Sequence, residues 1–128
     1  MVKSGSIIPD GVSLEKHEYD TVLFLTTLGY KIRLIPPSLA PNTRTPDFEM
    51  IGLKWEAKSP KGKSRYTLEH AFQAATKQSE NIIFDLRRTS IPDNKCKTTL
   101  SKLMKTSKRA KRLGIITKKR ELVWFPFD

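Results

Sequence analysis

The sequence predicts a mixed α/β domain, a central sheet flanked by helices, and three observations predict it. Short runs that alternate apolar and polar residues recur between longer runs whose apolar residues fall three and four apart. Asn81–Leu86 is an almost unbroken apolar run of strand length, the pattern of a strand covered on both faces. The 128 residues are 38% hydrophobic and 29% charged, enough apolar material for one core and too much for a disordered or low-complexity chain. Residues 1–12 read as a flexible N-terminal segment and 13–128 as a single domain.

The elements follow in order. Ser13-Leu14-Glu15-Lys16 places an N-cap type hydroxyl before an acid-rich first turn, and the helix it opens runs to Gly29, a natural stop. Tyr30–Ile35 alternates with period two and is halted by Pro36-Pro37, so it is a strand, and residues 36–45 are a loop. From Pro46 to Lys58 two short alternating runs meet near Gly52, which predicts a hairpin. After a Ser59–Lys63 loop, Leu68, Ala71, Phe72 and Ala75 mark one face of a helix over about 66–79. The Asn81–Leu86 strand leads to a third helix over about 98–112, with Leu100, Leu103, Met104 and Ala110 on one side. Ile115-Ile116 and Leu122–Phe125 close the chain as a hairpin turning at Lys118-Lys119-Arg120. The expected order is α-β-β-β-α-β-α-β-β, one mixed sheet with helices packed on it.

Charge is concentrated rather than spread. The chain carries 24 Lys and Arg against 13 Asp and Glu, a net +11, and residues 87–120 hold 13 of the bases with Asp93 as the sole acid. Such a surface is the footprint of phosphate-backbone binding. On the third helix Lys102, Lys105, Lys108, Arg109, Lys111 and Arg112 would form a basic face of roughly 15 Å at 1.5 Å per residue, opposite the apolar one. A membrane partner is not expected, because no Trp/Phe/Leu insertion face accompanies these bases. Cys96 is the sole cysteine, placed in a polar loop, so neither a disulfide framework nor a Cys-rich zinc site is available. The first residues, Met1 to Ser6, lack the apolar run of an export signal.

The chemistry is predicted in the hairpin. With alternating side chains, Glu56 and Lys58 share one strand face while Trp55 and Ala57 share the other. A turn near Gly52 brings Asp47 on the partner strand beside Glu56. Two carboxylates this close repel unless a cation lies between them, and an all-oxygen donor set suits Mg²⁺ or Mn²⁺ rather than zinc. Lys58 is then placed to orient water or neutralise charge at phosphorus. Glu18 lies at the centre of the first helix's apolar side, a costly position for an acid unless it points at the same ion; Glu15, nearer the border, is the second choice. A metal-free alternative would use His17 or His70 as base, but neither has a partner pattern around it.

The pattern Pro46-Asp47, spacer, Glu56-Ala57-Lys58 resembles the PD-(D/E)xK nuclease superfamily. The acid within the N-terminal helix, Thr45-Pro46-Asp47-Phe48, Trp55-Glu56-Ala57-Lys58-Ser59-Pro60 and the later Gln78–Arg88 stretch are similar, more closely, to the C-terminal tRNase toxin domains of contact-dependent growth inhibition (CdiA) proteins. The resemblance covers about residues 13–125. It implies the superfamily's mixed sheet flanked by helices, a nuclease domain over 13–128, and a catalytic set of Asp47, Glu56 and Lys58 with Glu18 as the helix-borne acid. It also places Gln78 in the same cleft. The implied activity is Mg²⁺- or Mn²⁺-dependent phosphodiester hydrolysis, with tRNA favoured as the substrate and DNA possible. The basic helix residues Lys102, Lys105, Lys108, Arg109 and Arg112 would hold the strand. An acidic immunity protein as partner, and action in the cytoplasm of a target cell after delivery within a larger secreted toxin, are further implications. A DNase or nickase using the same residues, and a non-catalytic nucleic-acid binding module, are the competing expectations.

Overall fold

Seven strands hydrogen-bond in chain order into one sheet in the computed structural model, which describes residues 5–38, 40 and 45–127. The elements are β1 (Ser6–Ile8), α1 (Lys16–Thr27), β2 (Lys31–Leu34), β3 (Phe48–Met50), β4 (Leu53–Lys58), α2 (Arg65–Thr76), β5 (Asn81–Asp85), α3 (Asp93–Thr106), β6 (Arg112–Ile116) and β7 (Leu122–Trp124). β1 and β2 are parallel, as are β4, β5 and β6, while β2–β3–β4 and β6–β7 are antiparallel. The mixed sheet and the order of the last nine elements agree with the sequence expectation. Among the described residues, no helix is long and apolar enough to cross a membrane.

Two apolar layers sandwich the sheet. Val22 and Leu25 of α1 pack with Ile32, Leu34, Phe48, Met50, Trp55, Ala57 and Ile83 on one face. On the other, Leu68, Phe72 and Ala75 of α2 and Cys96, Leu100 and Met104 of α3 cover Ile82, Phe84, Leu113 and Ile115. Successive β5 residues thus enter opposite cores, which is why that strand reads as an unbroken apolar run. Both parallel crossovers, β4–α2–β5 and β5–α3–β6, lay their helices on one side, and all three strand C-termini open at one end of the sheet.

The β3–β4 turn is a two-residue type I′ hairpin, with Ile51 at φ 49° and Gly52 at φ 75°. It pairs Phe48 with Trp55, and the buried Trp55 indole N–H donates to the Met50 carbonyl at 2.9 Å. Register is fixed there, and with it the position of everything beyond Trp55.

Four sequence expectations are corrected. Part of the segment expected to be flexible, Ser6–Ile8, forms β1, paired in parallel with Lys31–Arg33, while residues 1–4 lie outside the described residues; three residues are too few to show a period. Of the 36–45 loop, residues 39 and 41–44 also lie outside them. The N-cap of α1 is Glu15, not Ser13: Glu15 and Glu18 form a reciprocal capping box, which satisfies two orphan amides where a lone hydroxyl would satisfy one. The third helix is α3, Asp93–Thr106, several residues earlier than the expected 98–112. Its end is set by Ser107, whose hydroxyl accepts from the amides of Arg109 and Ala110, and by the Glu80 carbonyl, which takes the amides of Lys111 and Arg112 into the sheet. Cys96 is consequently a fully buried core residue one turn before Leu100, not a loop thiol.

Candidate active site

The C-terminal half of β4 carries the site. Trp55 and Ala57 are committed to the α1-side core, so the strand's alternation sends Glu56 and Lys58 to the opposite face. Asp47 follows from the hairpin register: its amide donates to the Trp55 carbonyl, and its Oδ2 accepts from the Ala57 amide at 2.9 Å. The carboxyl is thereby pinned across from Glu56. Lys58 Nζ lies 3.1 Å from Glu56 Oε2 and donates to Gln78 Oε1 at 3.4 Å, and Gln78 Nε2 reaches the Thr45 carbonyl at 3.4 Å. Gln78 therefore bridges Lys58 to the chain that delivers Asp47. Glu18, half-buried on α1, lines a pocket of about 220 Å³ together with Glu56, Lys58, His17, Thr21 and Ser59.

The electrostatics are those of an incomplete cluster. Glu56 is only 2% exposed, and its Oε1 is buried with no hydrogen-bond partner. Burial, followed by the nearby Asp47 charge, pushes the Glu56 carboxyl up to about 8 against the partial relief supplied by Lys58. Burial also raises Asp47, with Glu18 adding repulsion and the Ala57 amide opposing the shift. The two carboxyls are raised together, each resisting ionisation of the other at this separation. A buried carboxyl oxygen left without a donor is costly. The paired carboxyls of Asp47 and Glu56, with one orphaned oxygen, form an oxygen-only set that fits a hard divalent cation. Among the described residues the group of three with ligand atoms all within 4.8 Å of one another is Glu15, His17 and Glu18, beside that pair.

This arrangement has a measurable consequence for the ion-free protein. Unfolded, Glu56 ionises near 4.5; folded, it keeps its proton to about 8. The folded state thus binds more protons between these values, and stability falls as pH rises through that window. Glu56→Gln removes the titration, so the variant is expected to be more stable than the parent above pH 8, by on the order of a few kcal/mol. Urea unfolding in EDTA at pH 5 and pH 9 measures it; identical pH slopes in the two proteins would contradict the assignment.

The structure brings together Asp47, Glu56, Lys58, Glu18 and Gln78, and it does not bring the expected basic helix to them. Lys102 and Lys105 are exposed on α3, but Lys108 and Arg109 lie in the loop after it and Arg112 opens β6, donating to Asn81 Oδ1 at 3.1 Å. α3 returns the chain from the C-terminal end of β5 to the start of β6. Arg112 accordingly sits level with Asn81, whereas Lys58 sits level with Phe84. The basic half of α3 lies at the far end of the sheet. The cations at the near end are in loops: Lys61 and Lys63 after β4, Arg87 and Arg88 after β5, and Lys118–Arg120 after β6. Glu15 is exposed and occupied as a helix cap, and its carboxylate lies 3.6 Å from His17 Nδ1. His70 is an exposed residue of α2.

Sequence reasoning missed Asp85 and Arg87. Asp85, 2% exposed, accepts from Thr21 Oγ1 at 2.7 Å and from the backbone and guanidinium of Arg87, tying α1 to the sheet beside the site. The signal was an acid ending an apolar strand two residues before an arginine.

Comparison with known proteins places this geometry. No curated protein sequence matches the chain. The solved structure of a CdiA-CT/CdiI toxin and immunity complex from Burkholderia pseudomallei has the same fold, with a TM-score of 0.73 at 15% sequence identity over 94% of this chain and 98% of that one. The profile of the contact-dependent growth inhibition CdiA C-terminal domain matches residues 44–122, a span that includes Asp47, Glu56, Lys58 and Gln78. With more than half of its length matched, the chain belongs to the contact-dependent growth inhibition CdiA C-terminal domain family.

Proposed function

We propose that this domain is a metal-dependent endonuclease of the PD-(D/E)xK type that hydrolyses phosphodiester bonds, with tRNA as its substrate. The observation that carries the reading is the Asp47–Glu56–Lys58 cluster, in which Glu56 has a buried, unpartnered Oε1 and lines a pocket with Lys58. Asp47 and Glu56 would hold Mg²⁺ or Mn²⁺, helped by Glu18. When bound, such an ion supplies Lewis-acid stabilisation of phosphoryl charge and makes the attacking water more acidic. Lys58, held between Glu56 and Gln78, presents its ammonium to the reacting phosphate and orients the water. Asp47, fixed by the Ala57 amide, keeps its carboxylate in place without a rotamer search. The tRNA preference rests on the family resemblance, and DNA cleavage by the same residues is the second reading, since a fold of this type does not select the sugar.

The neighbouring structure is a toxin and immunity complex, and a protein covering the basic end of this domain as its immunity partner accords with the +11 charge. Membership of the same family supports the further proposal that the domain is delivered into a target cell as the tip of a larger secreted toxin and acts in its cytoplasm. Purified tRNA and supercoiled plasmid incubated in parallel with Mg²⁺, Mn²⁺ or EDTA test the activity. The expected result is tRNA scission that EDTA abolishes. Undiminished cutting in EDTA would reject the metal, and cutting of plasmid alone would shift the substrate to DNA.

A further inference from the structure

A second cleft, of about 740 Å³, opens beside the metal pocket and shares His17 and Ser59 with it. Its lining also brings Phe24 and Asp20 of α1 together with Asp85 at the end of β5 and with Arg87, Arg88 and Arg120 from the loops at the same end of the sheet, three cations against two acids. We propose that this cleft is a nucleotide subsite, which takes the residue adjoining the scissile phosphate by seating its phosphate on Arg88 and Arg120 and its base on the Arg87–Phe24 stack. The inference rests on the nuclease reading for the strand it assigns, and it adds where that strand lies.

Three features support it. Arg87 is preorganised: Asp85 accepts from its Nε at 2.9 Å and its Nη2 at 2.7 Å, the Asp20 carbonyl takes the same Nη2, and its guanidinium rests 5.0 Å from the centre of the Phe24 ring. A flat cation held in this way is the type of surface on which unstacked bases lie. The second feature is uncommitted charge. Asp85 is saturated by Arg87 and Thr21, and among the described residues neither Arg88 nor Arg120 pairs with a carboxylate; Arg88 contacts only the Ser59 carbonyl, at 3.3 Å. Arg120 is held at the tip of the β6–β7 turn at φ 63°, a conformation that Gly or Asn would adopt more cheaply. The third is the apolar floor. Leu23 and Leu28 line the cleft and are 40% and 44% exposed, side by side with three arginines. A purely anionic ligand would leave that surface wet, whereas a nucleotide uses both. The volume falls in the range of small-molecule sites and admits one nucleotide with room to continue the strand.

Isothermal titration and amide chemical-shift mapping with 5′-AMP, in EDTA so that the metal pocket plays no part, test the subsite. AMP is expected to bind with shifts at Phe24, Arg87, Arg88 and Arg120, and adenosine and inorganic phosphate to bind at least about tenfold more weakly. Arg88→Ala with Arg120→Ala should weaken AMP by about tenfold or more, while Lys31→Ala with Lys54→Ala, the same loss of two charges at exposed positions where β2 and β4 begin, should not. No AMP binding at 10 mM, shifts confined to other surfaces, equal affinity for phosphate and AMP, or an unaffected double variant would each overturn the proposal. Because nothing is cleaved in this assay, a chain that cuts no nucleic acid can still pass it, and an active nuclease can still fail it.

Discussion

Glu56→Gln is expected to lower phosphodiester cleavage by at least about a thousandfold while leaving the domain folded. The substitution keeps shape and volume, and it removes the charge on which both divalent-ion affinity and the acidification of water depend. A loss of that size corresponds to about 4 kcal/mol of transition-state stabilisation. Lys58→Ala is expected to fall comparably but for a different reason: its ammonium acts on charge that develops at phosphorus, so kcat drops and Mn²⁺ affinity does not. Asp47→Asn retains an oxygen for the Ala57 amide and should therefore keep its stability while losing the ion. Gln78→Ala is milder, about tenfold, because Gln78 touches the reaction only through Lys58. Circular dichroism and Mn²⁺ titration beside the kinetics separate these outcomes. A Glu56→Gln protein that cuts at the parent rate would remove the site from the mechanism.

The largest effect on stability is expected at Asp85. Asp85→Ala leaves the Arg87 guanidinium without its carboxylate, in a largely buried setting where the Arg87 side chain is 24% exposed, and leaves Thr21 Oγ1 only the His17 carbonyl at 3.1 Å. Breaking one side of a buried pair costs about 3–5 kcal/mol, a large share of the margin of a domain this size. Asp85→Asn preserves the Thr21 bond and should cost less. The double variant Asp85→Leu/Arg87→Leu is expected to recover much of the loss, because the penalty comes from the stranded charge rather than from the missing attraction. Urea denaturation reads all three. If Asp85→Ala unfolds at the parent midpoint, the pair does not join α1 to the sheet.

The hairpin was legible from sequence because its information is local. Two alternating runs meeting at a glycine specify the turn, the turn specifies the register, and the register alone sets Asp47 opposite Glu56. Glu18 was legible as a conflict, an acid at the centre of an apolar helix face, and the structure resolves it at the helix start, where the Glu18 carboxylate accepts from the Glu15 amide and the residue lines the pocket. The basic surface was not legible in the same way. Lys102 through Arg112 keep helical spacing on paper, but the β-pairing of Arg112 with Asn81 and the turn made by Ser107 take the chain out of the helix first. Tertiary pairing overrode local periodicity, which carries no information about the strand on the far side of α3. The cations that line the neighbouring cleft, Arg87, Arg88 and Arg120, come from the loops after β5 and β6, which have no period to read. β1 escaped for the same reason, since its partner is Lys31–Arg33 across α1.

Anomalous diffraction from a crystal soaked in Mn²⁺ tests the central claim most directly. One anomalous peak is expected within coordination distance of Asp47 and Glu56, about 2 Å from their carboxylate oxygens. That peak should be lost in Glu56→Gln and retained in Lys58→Ala. A soaked crystal whose manganese binds elsewhere, with none beside Asp47 and Glu56, would contradict it.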